Sequence, residues 1–142
     1  MTKPLPERRE LILIVDDEES ILAITSDTLE VLGYRAITAT NGAEALTCYS
    51  QHHAEIAAVI LDMSMPIMDG LSAVCALQSV NPDVKIIAST GGIDPIKSSN
   101  ESGQGAVRAV LYKPYTAEAL LQTLREVIGA GRKKKRHHAG LS

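Results

Sequence analysis

The sequence predicts a doubly wound α/β fold, in which one sheet of five parallel strands is flanked by five helices. Short apolar runs alternate along the chain with segments whose apolar residues recur at helical spacing, and the connections between them are short. The chain has 142 residues, 45% hydrophobic and 22% charged, which is typical of one globular domain. We expect a leader over residues 1–9, the domain over residues 10–129 and a flexible basic tail over residues 130–142.

The first half of the domain has the clearest patterns. Residues 11–15 form an unbroken aliphatic run, typical of a strand that is buried on both faces of a parallel sheet. Apolar residues then recur at helical spacing over residues 19–32, and Gly33 stands where a left-handed cap is expected. The next predicted elements are a strand over residues 34–40, a helix over 43–50 and a strand over 57–61.

The second half repeats the alternation. It contains a predicted helix over residues 71–80, a strand over 84–88, a short polar helix over 94–104, a strand over 106–112 and a last helix that Thr116 caps. The alternation of strands and helices predicts a parallel sheet, and right-handed crossovers then place all strand-to-helix loops at one edge of it. Functional sites of such folds lie at that edge.

Polar side chains follow four of the five strands there. Asp16 and Asp17 follow the first strand, Asp62 the third, Thr90 the fourth and Lys113 the fifth. Two carboxylates about 4 Å apart repel by roughly 4 kcal/mol at an effective dielectric of about 20, so they require a cation. A few oxygen ligands with room for water are typical of Mg²⁺ that is shared with a phosphate. Asp62 is then the natural nucleophile for an acyl phosphate, while Lys113 and Thr90 supply the groups that stabilise phosphoryl oxygens.

Four segments in this order resemble the receiver domain of bacterial two-component response regulators. They are residues 13–18 (LIVDDE), residues 61–70 (LDMSMPIMDG), Ser89-Thr90-Gly91 and Lys113-Pro114-Tyr115. The resemblance covers about residues 10–129 and implies a flavodoxin-like fold. It also implies phosphorelay signalling, in which Asp62 takes a phosphoryl group from a histidine kinase and a conformational change relays the signal.

The resemblance implies a metal site as well. Asp17 and Asp62 are expected to bind Mg²⁺, or Mn²⁺ in its place, directly. Asp16 is expected to bind the ion through water, and the backbone carbonyl of Ser64 is the remaining protein ligand.

At the phosphate, the resemblance places the side chains of Thr90 and Lys113 and the backbone of Met63 and Gly91. One position departs from the family pattern. Receivers commonly carry Tyr or Phe three residues before the lysine, and this chain has Val110 there. A switch based on an aromatic rotamer is therefore not expected.

The implied partners are a sensor histidine kinase or histidine phosphotransfer protein and a downstream protein target, with the chain as a monomer or weak dimer. We expect no direct nucleic-acid binding, because residues 1–131 hold nine basic against 17 acidic residues, and the chain has no Trp or Phe. We also expect no membrane association and a cytoplasmic location, because the sequence has neither an export signal nor an apolar run of about 20 residues.

Two other interpretations stay open. The chain could be the receiver portion of a hybrid sensor histidine kinase. It could also be a Mg²⁺-dependent aspartyl phosphohydrolase, although such an enzyme often has a second Asp two residues after the nucleophile, and position 64 is Ser. We favour a signalling domain that promotes its own phosphorylation and dephosphorylation over an enzyme.

Overall fold

One five-stranded parallel sheet organises the computed structural model, which describes residues 9–64, 70–91 and 104–129. The strand order is β2-β1-β3-β4-β5. The strands are β1 (Leu11–Val15), β2 (Arg35–Ala39), β3 (Ile56–Asp62), β4 (Ile86–Thr90) and β5 (Val107–Tyr112). The order reverses between β1 and β3, so the edge crevice between these strands is the expected position of a site.

Helices cover both faces of the sheet. They are α1 (Glu19–Val31), α2 (Gly42–His52), α3 (Gly70–Val80) and α4 (Ala117–Leu124), and a π-helical turn over Arg125–Gly129 continues α4. Side-chain oxygens of Asn41 and Thr116 accept backbone N–H groups at the start of α2 and α4. Gly33 has a φ of 101°, which confirms the predicted left-handed residue after α1.

The described residues contain four α-helices, where the sequence predicts five. The missing one, predicted over residues 94–104, lies outside the described residues except for Gln104, which begins a 3₁₀ turn over Gln104–Ala106. The predicted leader and tail also lie outside them, apart from Arg9.

The other predicted elements are confirmed with shifted ends. The largest shift is in β4, which begins two residues later than predicted and continues to Thr90. The register with β3 explains it, because Asp62 pairs with Ser89 and the ladder therefore extends beyond the apolar run.

Two apolar layers hold the helices on the sheet. All five residues of β1 are buried, because alternate side chains enter opposite layers. Leu13 packs with Tyr49 and Leu77 of α2 and α3, whereas Ile14 packs with residues of α1 and α4 that include Leu29 and Leu124. Full burial of such a side chain stabilises the fold by about 1.5–3 kcal/mol. These layers fix the edge at which β1, β3 and β5 end.

Candidate functional site

The carboxyl ends of β1 and β3 bring three carboxylates together. Val15 pairs with Leu61 across the two strands, so Asp16 and Asp62, the next residues, lie side by side. Each is only 2% exposed, whereas the neighbouring Asp17 is exposed. One carboxylate oxygen from each of the three residues lies within 4.8 Å of the others. The predicted convergence of the three acids is therefore present in the structure.

Lys113 follows β5 and reaches across β4 to this cluster. Its Nζ lies 2.9 Å from Asp16 Oδ2 and 3.5 Å from Asp62 Oδ2. Burial by itself lowers the pKa of Lys113, but the hydrogen bond to Asp16 and the negative charge of Asp62 outweigh it, so the pKa lies above its ordinary value. The ammonium therefore stays charged and neutralises part of the cluster.

Backbone and hydroxyl donors orient the two buried carboxylates. The N–H of Glu18 donates to Asp16 Oδ1 at 2.9 Å. Ser64 donates twice to Asp62 Oδ1, through its backbone N–H at 3.1 Å and its hydroxyl at 2.8 Å. The Ser64 hydroxyl was missed at the sequence level, where only the carbonyl of this residue was assigned a role. A Ser two residues after the acid is the signal that could have indicated the contact.

The remaining predicted site residues lie around the end of β4. Thr90 is buried, and its carbonyl accepts the N–H of Lys113 at 2.8 Å. Among the residues that the structure describes, no atom lies within 4 Å of a side-chain carbon built on Gly91. The N–H of Met63 donates to the carbonyl of Ser89 at 2.9 Å. Its predicted contact with a phosphate would therefore require this bond to open.

Three carboxylates against one ammonium leave a net charge of −2 at the site. This charge and an all-oxygen donor set are the chemistry that a divalent cation such as Mg²⁺ requires. The residues present therefore fit the predicted metal.

Val110 lies in β5, three residues before Lys113. It is half-buried on β5 between Ala109 and Leu111, which both pack in the layer with α1 and α4. Strand alternation directs Val110 and Tyr112 to the opposite face, and Tyr112 is 51% exposed.

An apolar groove of about 400 Å³ adjoins Lys113, and the sequence did not predict it. It lies between α1 and the start of α4, and Ile24, which lines it, is 64% exposed. The hydroxyls of Thr25 and Tyr115, also in its lining, lie 3.3 Å apart. Residues 21, 24 and 28 share one helical face, and this spacing is the sequence feature that could have indicated the groove.

The sheet order and the acid–lysine cluster at the strand switch define a doubly wound α/β protein with a cluster of carboxylates at the carboxyl edge of its sheet. Comparison with known families then identifies it. The model of the response regulator receiver domain matches residues 12–125, and the chain belongs to this family of two-component signalling domains.

Curated relatives include the transcriptional regulatory protein PrrA of Mycobacterium tuberculosis. It is 29% identical over 119 residues, which are 82% of this chain and 49% of PrrA. The chain thus spans about half the length of the curated relatives that it matches first.

Solved structures support the same fold. A response regulator receiver domain protein from Clostridium thermocellum superposes with a TM-score of 0.78 at 28% identity, over 87% of this chain and 97% of that one. Response regulator TrrA from Thermotoga maritima, solved in complex with Mg²⁺ and BeF, gives a TM-score of 0.72 at 28% identity, over 83% and 98%.

Among the helices that the structure describes, none combines the length and the apolar character needed to cross a bilayer.

Proposed function

We propose that this receiver domain accepts a phosphoryl group on Asp62 in a Mg²⁺-dependent reaction with a histidine kinase or histidine phosphotransfer protein. The observation that carries the proposal is the position of Lys113 Nζ, which contacts both Asp16 and Asp62 at the strand switch. A buried carboxylate beside a fixed ammonium and two further acids can form an acyl phosphate. The Mg²⁺-bound receiver from Thermotoga maritima supports the choice of metal.

The transfer forms a bond between phosphorus and an oxygen of Asp62 and breaks the bond between phosphorus and the donor nitrogen, which keeps the bonding electron pair. Lys113 holds a phosphoryl oxygen, and its raised pKa keeps it cationic while it does so. Asp17, Asp62 and the carbonyl of Ser64 would hold Mg²⁺ directly, and Asp16 would hold it through water. Bound Mg²⁺ would supply charge compensation for the phosphoryl oxygens.

The signal passes from Thr90 to a downstream protein target. Thr90 ends β4, and its hydroxyl would move towards the phosphoryl group while Gly91 absorbs the backbone change. No aromatic ring is required on β5, where Val110 stands.

The test is incubation with a small phosphodonor and Mg²⁺, followed by intact mass measurement. We expect one added phosphoryl group in the wild type and in the control Asp83→Asn, which changes an exposed acid beyond α3. We expect none in Asp62→Asn or after chelation of the metal. A persistent adduct in Asp62→Asn would exclude Asp62 as the acceptor.

Phosphate release from a phosphomonoester tests the phosphohydrolase alternative. A phosphohydrolase would release many equivalents of phosphate from a phosphomonoester. A receiver instead takes up one phosphoryl group and returns slowly to its unmodified form. Ser64 argues against an enzyme, because its hydroxyl lies 2.8 Å from Asp62 where a second carboxyl group would be needed as general acid.

The activity of any longer protein to which this chain belongs is also a proposal, because the chain spans only about half the length of these curated relatives. A stand-alone regulator and the receiver portion of a hybrid sensor histidine kinase both fit the site. The neighbouring coding sequence distinguishes them.

A further inference from the structure

Ser64 uses both of its donors on one oxygen of Asp62. The backbone N–H lies 3.1 Å and the hydroxyl 2.8 Å from Asp62 Oδ1. A carboxylate oxygen offers about two lone-pair directions, so Ser64 alone occupies the accepting capacity of Oδ1. Asp62 is 2% exposed, whereas Ser64 is exposed to solvent.

The second oxygen of Asp62 is no better placed for a cation. Oδ2 lies 3.5 Å from the ammonium nitrogen of Lys113. A divalent ion on that oxygen would be repelled by a group of the same sign. The oxygen that remains for the metal is therefore Oδ1, and one of its two hydrogen bonds must open.

The two donors differ in how easily they leave. The N–H of Ser64 is held by the backbone turn that follows β3. The hydroxyl belongs to an exposed side chain, and rotation about one bond directs it into water. The hydrogen bond from the hydroxyl is therefore the one that opens when the metal binds.

We propose that the Ser64 hydroxyl competes with the metal for Asp62 Oδ1 and thereby lowers the affinity of the metal-free protein for Mg²⁺. The inference rests on the proposed function, since it assumes that Asp62 binds the ion. It differs from the role of the Ser64 carbonyl, which any residue at this position could supply. In the metal-free protein the hydroxyl orients Asp62, and in the metal-bound protein it points to solvent.

Titration calorimetry with MgCl₂ on the whole chain tests the competition. We expect Ser64→Ala to bind Mg²⁺ with a Kd about three- to tenfold lower than the wild type, the range that corresponds to one lost hydrogen bond. Ser64→Thr keeps a hydroxyl and should bind like the wild type. Ser79→Ala removes an exposed hydroxyl that donates to the carbonyl of Ala76 in α3, and it is the matched control.

A second readout is the rise in Tm on addition of Mg²⁺, which should be larger in Ser64→Ala than in the other three proteins. An unchanged or higher Kd in Ser64→Ala would overturn the competition and leave the metal site intact. Absence of Mg²⁺ binding by the wild type would overturn both the competition and the proposed metal site.

Discussion

Lys113 Nζ lies 2.9 Å from Asp16 Oδ2, although the two residues are 97 positions apart. Asp16 is almost fully buried at the carboxyl end of β1, so its charge needs a partner. Because the same ammonium lies 3.5 Å from Asp62, one lysine compensates two buried carboxylates in the metal-free protein. Lys113 therefore has a structural role in addition to its proposed contact with a phosphoryl group.

Lys113→Ala should unfold more easily when no metal is present. Removal of the ammonium leaves Asp16 and Asp62 buried without their cation. We expect a cost of about 1–3 kcal/mol, because Lys113 itself is partly exposed and water screens part of the interaction. Mg²⁺ should restore part of the loss, while phosphorylation stays absent. Urea unfolding with and without Mg²⁺ measures the effect, and Lys85→Ala, outside the cluster, is the control. Equal stability of Lys113→Ala and wild type would contradict the structural role.

The raised pKa of Lys113 predicts a loss of stability at alkaline pH. The native state holds this proton more tightly than the unfolded chain, so the contribution is complete below the unfolded pKa, for which the reference value is 10.5. It is lost as the pH rises through the folded pKa. The free energy of unfolding should fall more steeply above pH 10.5 in the wild type than in Lys113→Met. Parallel curves for the two proteins would refute the prediction.

Asp17→Asn should distinguish two effects of this carboxylate, its repulsion of the other two acids and its binding of Mg²⁺. Asp17 is exposed, so the substitution leaves the core intact and removes one of three mutually repelling carboxylates. We expect a small rise in Tm without Mg²⁺ and a strong reduction of the stabilisation that Mg²⁺ gives to the wild type. Differential scanning calorimetry records both. Asp27→Asn, which changes an exposed acid of α1, should keep the full Mg²⁺ response.

Leu124→Ala should be among the most destabilising substitutions in α4. Leu124 is 0% exposed and packs in the apolar layer with α1, so truncation costs about 2–5 kcal/mol through lost burial and a cavity. Ile24→Ala removes an apolar side chain that is mostly exposed in the groove, and it should change stability by less than about 1 kcal/mol. Thermal unfolding of the two variants compares them directly. Equal losses would show that Ile24 has packing partners beyond the groove.

The valine at position 110, where receivers commonly carry an aromatic residue, predicts which part of the chain transmits the signal. Because Val110 cannot act as a rotating ring, activation should alter chiefly the backbone from Thr90 to residue 104. Hydrogen exchange with and without beryllofluoride should then show increased protection over residues 90–104. A response confined to Tyr112 or to α4 would indicate another route.

The sequence was sufficient to predict the order of the elements and the edge at which the site lies. Apolar runs such as residues 11–15 and helical spacing in α1 are local patterns, and local patterns are set by which faces must be buried. The proximity of Asp16, Asp62 and Lys113 was also predictable, because parallel strands bring their carboxyl ends to one edge.

Only the tertiary structure decided which atoms meet there. The register of β1 against β3 places Asp16 beside Asp62, and the crossover to β5 brings Lys113 to both. The two hydrogen bonds that Ser64 donates to Asp62 Oδ1 depend on the position that packing gives to the turn after β3. The groove beside α1 depends in the same way on the position of that helix. A hydrogen bond is made or lost over a few tenths of an ångström, a distance that long-range packing sets and no local sequence pattern contains.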